Sequence, residues 1–191
     1  SDILAIQYNN SAYRYDVYIP YLVTQVNFNA DMQYNGRITG EDNMKMNVQS
    51  GTLIYGGTAN VVSVQVAENA ALLGGSYIVN DMSSKMHTDF AVDTTTGYVI
   101  NSGTIGAASA DENMTINGNL VSNGRLQAYG GGEGGQIIVS GNAYIDGSTA
   151  TAQNMMPGES RTVLKAKHIE GNVANANTAL PVAPMLGIKG K

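Results

Sequence analysis

Two histidines, His87 and His168, are the only imidazoles in the chain, and cysteine is absent. A Ser–His–Asp arrangement needs a histidine held between a hydroxyl and an orienting carboxylate. His87 has Asp89 two residues on and Ser83 and Ser84 just upstream, inside a polar stretch from 81 to 96 that ends near Thr94, Thr95 and Thr96. That stretch carries no strand or helix pattern to hold such a triad, so it reads as a solvated loop. His168 lies between two turn signals and reads as structural. Two distant histidines without cysteine do not suit zinc. The run Gly130-Gly131-Gly132-Glu133-Gly134-Gly135 has glycines in the manner of a calcium-binding repeat, but not the aspartates or the repetition. It also lacks the Lys-Ser/Thr of a phosphate loop and reads as a flexible corner. Met155 and Met156 read as core filler. Asn9-Asn10-Ser11 and Asn113-Met114-Thr115 match the glycosylation triplet, a pattern short enough to arise by chance. No catalytic, cofactor-binding or metal-binding residue is assigned, and no cofactor is expected.

What, then, do the surrounding elements exist to position? Of 191 residues, 23 are Gly and 20 are Asn, and only 13% are charged. Gly, Asn, Thr and Ser at this level indicate many sharp turns. A hydrophobic share of 43% supports a packed interior. The formal charge of −5 comes with ten scattered basic residues, which speaks against a nucleic-acid partner. No run of 18 apolar residues suggests a membrane-spanning helix. The chain opens on Ser1-Asp2, and neither a leader nor an anchor is recognisable, so it reads as an internal piece of a longer protein whose targeting segments lie outside it.

Strand signals are short and frequent: 51–55, 61–66, 114–116 and 136–139 are each bounded by Gly, Asn, Ser or Asp. The one helical pattern, 66–73, is short, interrupted by Asn69 and stopped by Gly74-Gly75. A degenerate repeat runs through the chain. Gln49-Ser50-Gly51-Thr52-Leu53 is echoed at Glu68–Leu72, Asn101–Ile105, Ser122–Leu126 and Ile145–Thr149. The fifth positions are 53, 72, 105, 126 and 149, so a unit near 20 residues fits, with a loop at 81–96 inside the second interval.

A β-rich unit of that length is one coil of a solenoid, which cannot bury its apolar side alone and is stable only when stacked. The expected fold is therefore an all-β, right-handed parallel β-helix of roughly nine coils. A β-sandwich or barrel, with strands every eight to twelve residues, is the alternative. Residues 1–26 differ from the repeat. Tyr13, Tyr15, Val17, Ile19, Tyr21 and Val23 alternate, and Pro20 restricts the segment to an edge, so it reads as a cap or junction. Asn side chains are expected to stack as hydrogen-bonded ladders at the turns.

The stretch 114–171 resembles the last passenger coils of autotransporters, the autochaperone or pertactin-like region. The resemblance is carried by Ile116-Asn117-Gly118-Asn119-Leu120-Val121, by Gly135 to Thr149, by Thr162-Val163-Leu164-Lys165-Ala166 and by Ile169-Glu170-Gly171. A looser likeness at 27–40 is to the stalk of subtilase-type members. The resemblance implies coils at 27–113, autochaperone-like coils at 114–171 and a low-order tail at 172–191, where Pro181 and Pro184 would break any element. It further implies a secreted, cell-surface, monomeric and non-catalytic stalk. Its partners would be an upstream effector domain, which subtilase-type members make a serine protease, and a downstream membrane barrel. An adhesin surface for a host ligand is the second reading. A polysaccharide-active enzyme ranks last, because its clustered carboxylates are missing from the sequence.

Overall fold

The computed structural model describes residues 24–40, 43–82, 94–174, 179–182 and 185–189. Alternating apolar residues in short runs, cut by Gly and Asn corners, give strands of two to six residues. These assemble into three sheets. The first holds β1 (Gln25–Phe28), β4 (Lys45–Val48), β7 (Ser63–Val66), β10 (Tyr98–Asn101), β13 (Asn119–Ser122), β16 (Asn142–Tyr144) and β19 (His168–Glu170). The second holds β2 (Met32–Tyr34), β5 (Gly51–Tyr55), β8 (Ala70–Leu73), β11 (Thr104–Gly106), β14 (Arg125–Tyr129) and β17 (Thr149–Gln153). The third holds β3 (Ile38–Thr39), β6 (Thr58–Val61), β9 (Ser76–Val79), β12 (Met114–Asn117), β15 (Ile137–Val139) and β18 (Ser160–Lys165). Every neighbouring pair among these strands is parallel, and each strand pairs with the one three places on in the chain. The fold is a parallel β-solenoid, as the repeat predicts. The 66–73 pattern is not a helix: it contains the end of β7, a turn and β8.

Six turns are described, fewer than the nine expected. Gln25, Lys45, Ser63, Tyr98, Asn119, Asn142 and His168 are equivalent positions, so the turns take 20, 18, 35, 21, 23 and 26 residues. Dividing the whole length by 20 overestimates the count, because the third turn carries an insertion and the last three have longer corners. Six steps between stacked strands give a rod of about 29 Å at ~4.8 Å per step. The insertion leaves after β9 and returns before β10, and its central residues 83–93 lie outside the described ones. Its ends are fastened: buried Thr96 accepts a bond from the Met82 amide at 3.1 Å, and the Gly97 amide donates to Val62 at 2.8 Å.

Inward side chains form columns one residue wide. Leu53, Leu72, Ile105 and Leu126 stack in register and are fully buried. These are four of the five fifth positions of the sequence repeat. The next member is Ala150, not Thr149. Asp146 and Gly147 make that corner one residue longer, with Gly147 at φ 83° and the Ser148 amide bonded back to Ile145. A second column runs Met46, Val64, Val99, Leu120 and Ala143. Each fully buried aliphatic side chain contributes about 1.5–3 kcal/mol relative to exposure.

The column at the end of the first sheet changes character along the rod. It is Phe28, Val48 and Val66 in the upper turns and Asn101 and Ser122 below. Asn101 Nδ2 donates to Ser122 Oγ at 3.1 Å, and Ser148 Oγ lies 2.9 Å from the same hydroxyl. Shorter surface links join Asn47 to Asn27 and Asn80 to Asn60. The expected ladders therefore exist, as links between two or three turns. The small residue preceding the leucine column also has a geometric cause. A Cβ on Gly103 would run into the Ala70 carbonyl, and one on Gly124 into the Gly103 carbonyl.

The C-terminal residues do not form the expected low-order tail. β20 (Ala179–Val182) and β21 (Met185–Lys189) make an antiparallel hairpin that joins β18 and brings Leu186 into the core. Pro181 lies in β20, which is the edge of its sheet and needs no further donor. Of the segment 1–26, expected to be a cap, residues 1–23 lie outside the described residues, and Gln25 and Val26 belong to β1 of the first turn. Leu126→Ala should lower the unfolding free energy by about 3 kcal/mol, because the neighbouring turns cannot close over the void. Urea denaturation of the variant against the parent chain measures this.

Candidate functional site

Among the described residues, those that sequence chemistry singled out are not brought together. Ser83, Ser84, His87 and Asp89, with the Asn9 triplet, lie outside the described residues. His168 begins the three-residue strand β19, with the chain bending at 167 and 171, its ring 3.7 Å from Glu170 and both side chains mostly exposed. Asn113 is exposed, and its side-chain oxygen accepts the Gln136 amide at 3.1 Å. Met155 packs against the core, but Met156 is 68% exposed and is no core filler.

The glycine run 130–135 is a corner, and it is packed between neighbouring turns. The Gly134 and Gly135 amides donate to Ala110 and Glu112, and the Gly130 amide donates to Gln153. Glu159 braces this corner. Its carboxylate accepts from the Gly131 amide at 3.3 Å, the Met156 amide at 3.0 Å and Arg161 at 3.2 Å, while Arg161 also donates to the Gly134 carbonyl at 3.2 Å. The backbone amide of Met156 is the foremost cause that lowers the Glu159 carboxyl below its ordinary value, followed by the Gly131 amide and Arg161. Among the described residues no group of three acidic or imidazole side chains could hold a metal ion.

One concavity comes from a change in corner length. Between the second and third sheets the first three turns have corners of three, two and two residues, at 35–37, 56–57 and 74–75. The last three use seven, seven and six, at 107–113, 130–136 and 154–159. Where the short corners meet the first long one, the wall steps outward and leaves an open groove of about 600 Å³. Gly74 and Gly75, at φ 79° and 92°, make the tightest of the short corners. A Cβ on Gly74 would sit 2.7 Å from the Tyr55 carbonyl oxygen, and one on Gly75 2.6 Å from the Tyr55 ring.

A tyrosine ladder holds the floor of this groove. Tyr34 and Tyr55 stack at 6.0 Å and 14°, and Tyr55 meets Tyr77 at 5.7 Å. Tyr55 donates to the Gly36 carbonyl at 2.7 Å and Tyr77 to the Gly74 carbonyl at 2.6 Å. Burial first, and then neighbouring Tyr34, push the Tyr55 hydroxyl up to about 12; burial and Tyr55 push Tyr77 up as well. Both therefore act as neutral donors that fix the corners. The groove walls carry Gln33, Asn35, Thr58, Ser109 and Glu112. None of these was singled out from the sequence; the one signal was the contrast between the paired glycines at 56–57 and 74–75 and the longer stretch after Ile105.

Two further grooves lie at or beside the corner between the first and second sheets. One, of about 450 Å³, has an in-register stripe of Ile100, Val121 and Tyr144 with Asp146 and Glu170 at its end. The other, of about 380 Å³, follows the corner of the first and second sheets and is flanked by Glu68 and Arg125. Comparison of the chain with known family models, with curated proteins and with solved structures finds no match.

The Glu159 brace has a defined pH signature. A carboxyl with a lowered folded pKa adds stability that is complete above its unfolded pKa and is lost as pH falls through the folded value. The parent chain should therefore lose more Tm than Glu159→Gln as pH is lowered from neutral to below about pH 4. Thermal melts of both chains across that range check it; equal losses would mean that the brace contributes nothing.

Proposed function

We propose that this chain is a non-catalytic β-helical stalk from the passenger of a secreted, autotransporter-type surface protein, possessing a C-terminal end that helps the passenger fold. The observation that carries this reading is the single stack of parallel turns with one continuous core from Phe28 to Leu186. Such a stack resists bending, because each turn is bonded and packed to the next over three sheets. It suits the task of holding an upstream effector domain away from a membrane.

The asymmetry of the rod supports the folding role. Its C-terminal turns have the buried Asn101–Ser122–Ser148 links, the Glu159–Arg161 brace and the β20–β21 hairpin. In a repeat array, a well-packed end can template its neighbour. A chain emerging C-terminus first would gain a folded block that opposes backsliding. The likeness of 114–171 to autochaperone coils and of 27–40 to subtilase-type stalks adds the family context; a serine protease upstream and a membrane barrel downstream belong to the same proposal.

Limited proteolysis tests it. Cleavage should begin in the N-terminal turns or the 81–96 loop, and a fragment retaining 114–171 should persist. A first cut inside 114–171, with the N-terminal turns intact, would overturn the folding role.

A further inference from the structure

We propose that the groove at the corner step binds a neutral oligosaccharide. Its volume of about 600 Å³ is in the range of small-ligand sites, roughly 300–1,000 Å³. Its chemistry narrows the ligand. The side chains of Gln33, Asn35, Thr58 and Ser109 line it and make no hydrogen bond among the described residues. Two carboxamides and two hydroxyls offer donors and acceptors together. A ring of sugar hydroxyls presents the same mixture. Ile54, 40% exposed on the groove wall, offers an apolar patch to the C–H face of a sugar ring.

Other ligand classes fit less well. None of the lining side chains is basic and Glu112 adds a negative charge, which disfavours phosphate, sulfate and uronate. An apolar ligand would leave the polar side chains desolvated and unpaired. An extended peptide binding by strand addition needs an open sheet edge. Here β5 lies between β2 and β8, and β6 between β3 and β9, while β2, the last strand of its sheet, uses its groove-side edge to pair with β5. The floor is rigid, because the tyrosine ladder and the glycine corners lock it. A rigid site loses little entropy on binding. The inference does not depend on the stalk reading, since a stalk or an adhesin can carry such a groove.

The test presents the whole chain with soluble cello-, chito- and malto-oligosaccharides. Polygalacturonate and heparin serve as anionic arms, and an extended Thr/Val-rich peptide as the strand-adding arm. Binding is followed by titration calorimetry. At least one neutral oligosaccharide should bind, and the Gln33→Ala/Asn35→Ala double variant should weaken it about tenfold or more. Both side chains are exposed and make no hydrogen bond among the described residues, so Tm should stay unchanged. Ser109→Arg, which projects a long side chain from the groove wall, should weaken it too. Failure of every neutral oligosaccharide at millimolar concentration would overturn the proposal. Binding confined to the anionic or peptide arms would do so as well, as would a neutral ligand whose affinity both variants leave unchanged.

Discussion

Every turn of this chain depends on register with the turn before it. Leu53, Leu72, Ile105 and Leu126 are buried only because each lies over the last, at the spacing of hydrogen-bonded strands. A single turn has a ring of inward side chains with nothing above or below. The stack supplies both missing sides and pairs the backbone groups at once. Small residues at Gly103 and Gly124 follow from the same constraint, since adjacent backbones touch there and leave no room for Cβ.

Register at the columns leaves the corners comparatively free. The third turn takes 35 residues and the second only 18, yet their strands pair without a slip. The insertion is tolerated because its ends are tied by Thr96, Met82 and Gly97 before the chain rejoins the first sheet. The one-residue lengthening at Asp146-Gly147 is absorbed in the same way. Variation in corner length is therefore the means by which a uniform rod acquires local shape. The groove beside Gly74-Gly75 is one such result, and the long corner at 107–113 forms its outer wall.

Polar groups divide along the rod. The upper turns are closed by aliphatic and aromatic side chains, with Tyr34 stacked on Tyr55 and Tyr55 tilted against Tyr77, and with the Tyr55 and Tyr77 hydroxyls satisfied by glycine carbonyls. The lower turns replace Val66 with Asn101 and Ser122, whose bonds link successive corners. A buried polar column is stable only if each member finds a partner. Here neighbouring turns supply those partners, so the links also couple the turns.

The solenoid itself was legible in the sequence. The Gly/Asn-rich corners and the recurrence at Leu53, Leu72, Ile105 and Leu126 come from a constraint that acts on each turn alike, so it leaves a periodic trace. The number of turns was not legible, because corner lengths obey no such period. The hairpin at 179–189 was also hidden: Pro181 reads as a breaker until its place at a sheet edge is known. The groove residues Gln33, Asn35, Thr58 and Ser109 come from three different turns and share no motif. Sequence alone determined what each turn must bury and where it must bend, because those demands are local. Only the tertiary stack decided which corners stand side by side and therefore where the surface is concave, because that depends on differences in length between turns far apart in the chain.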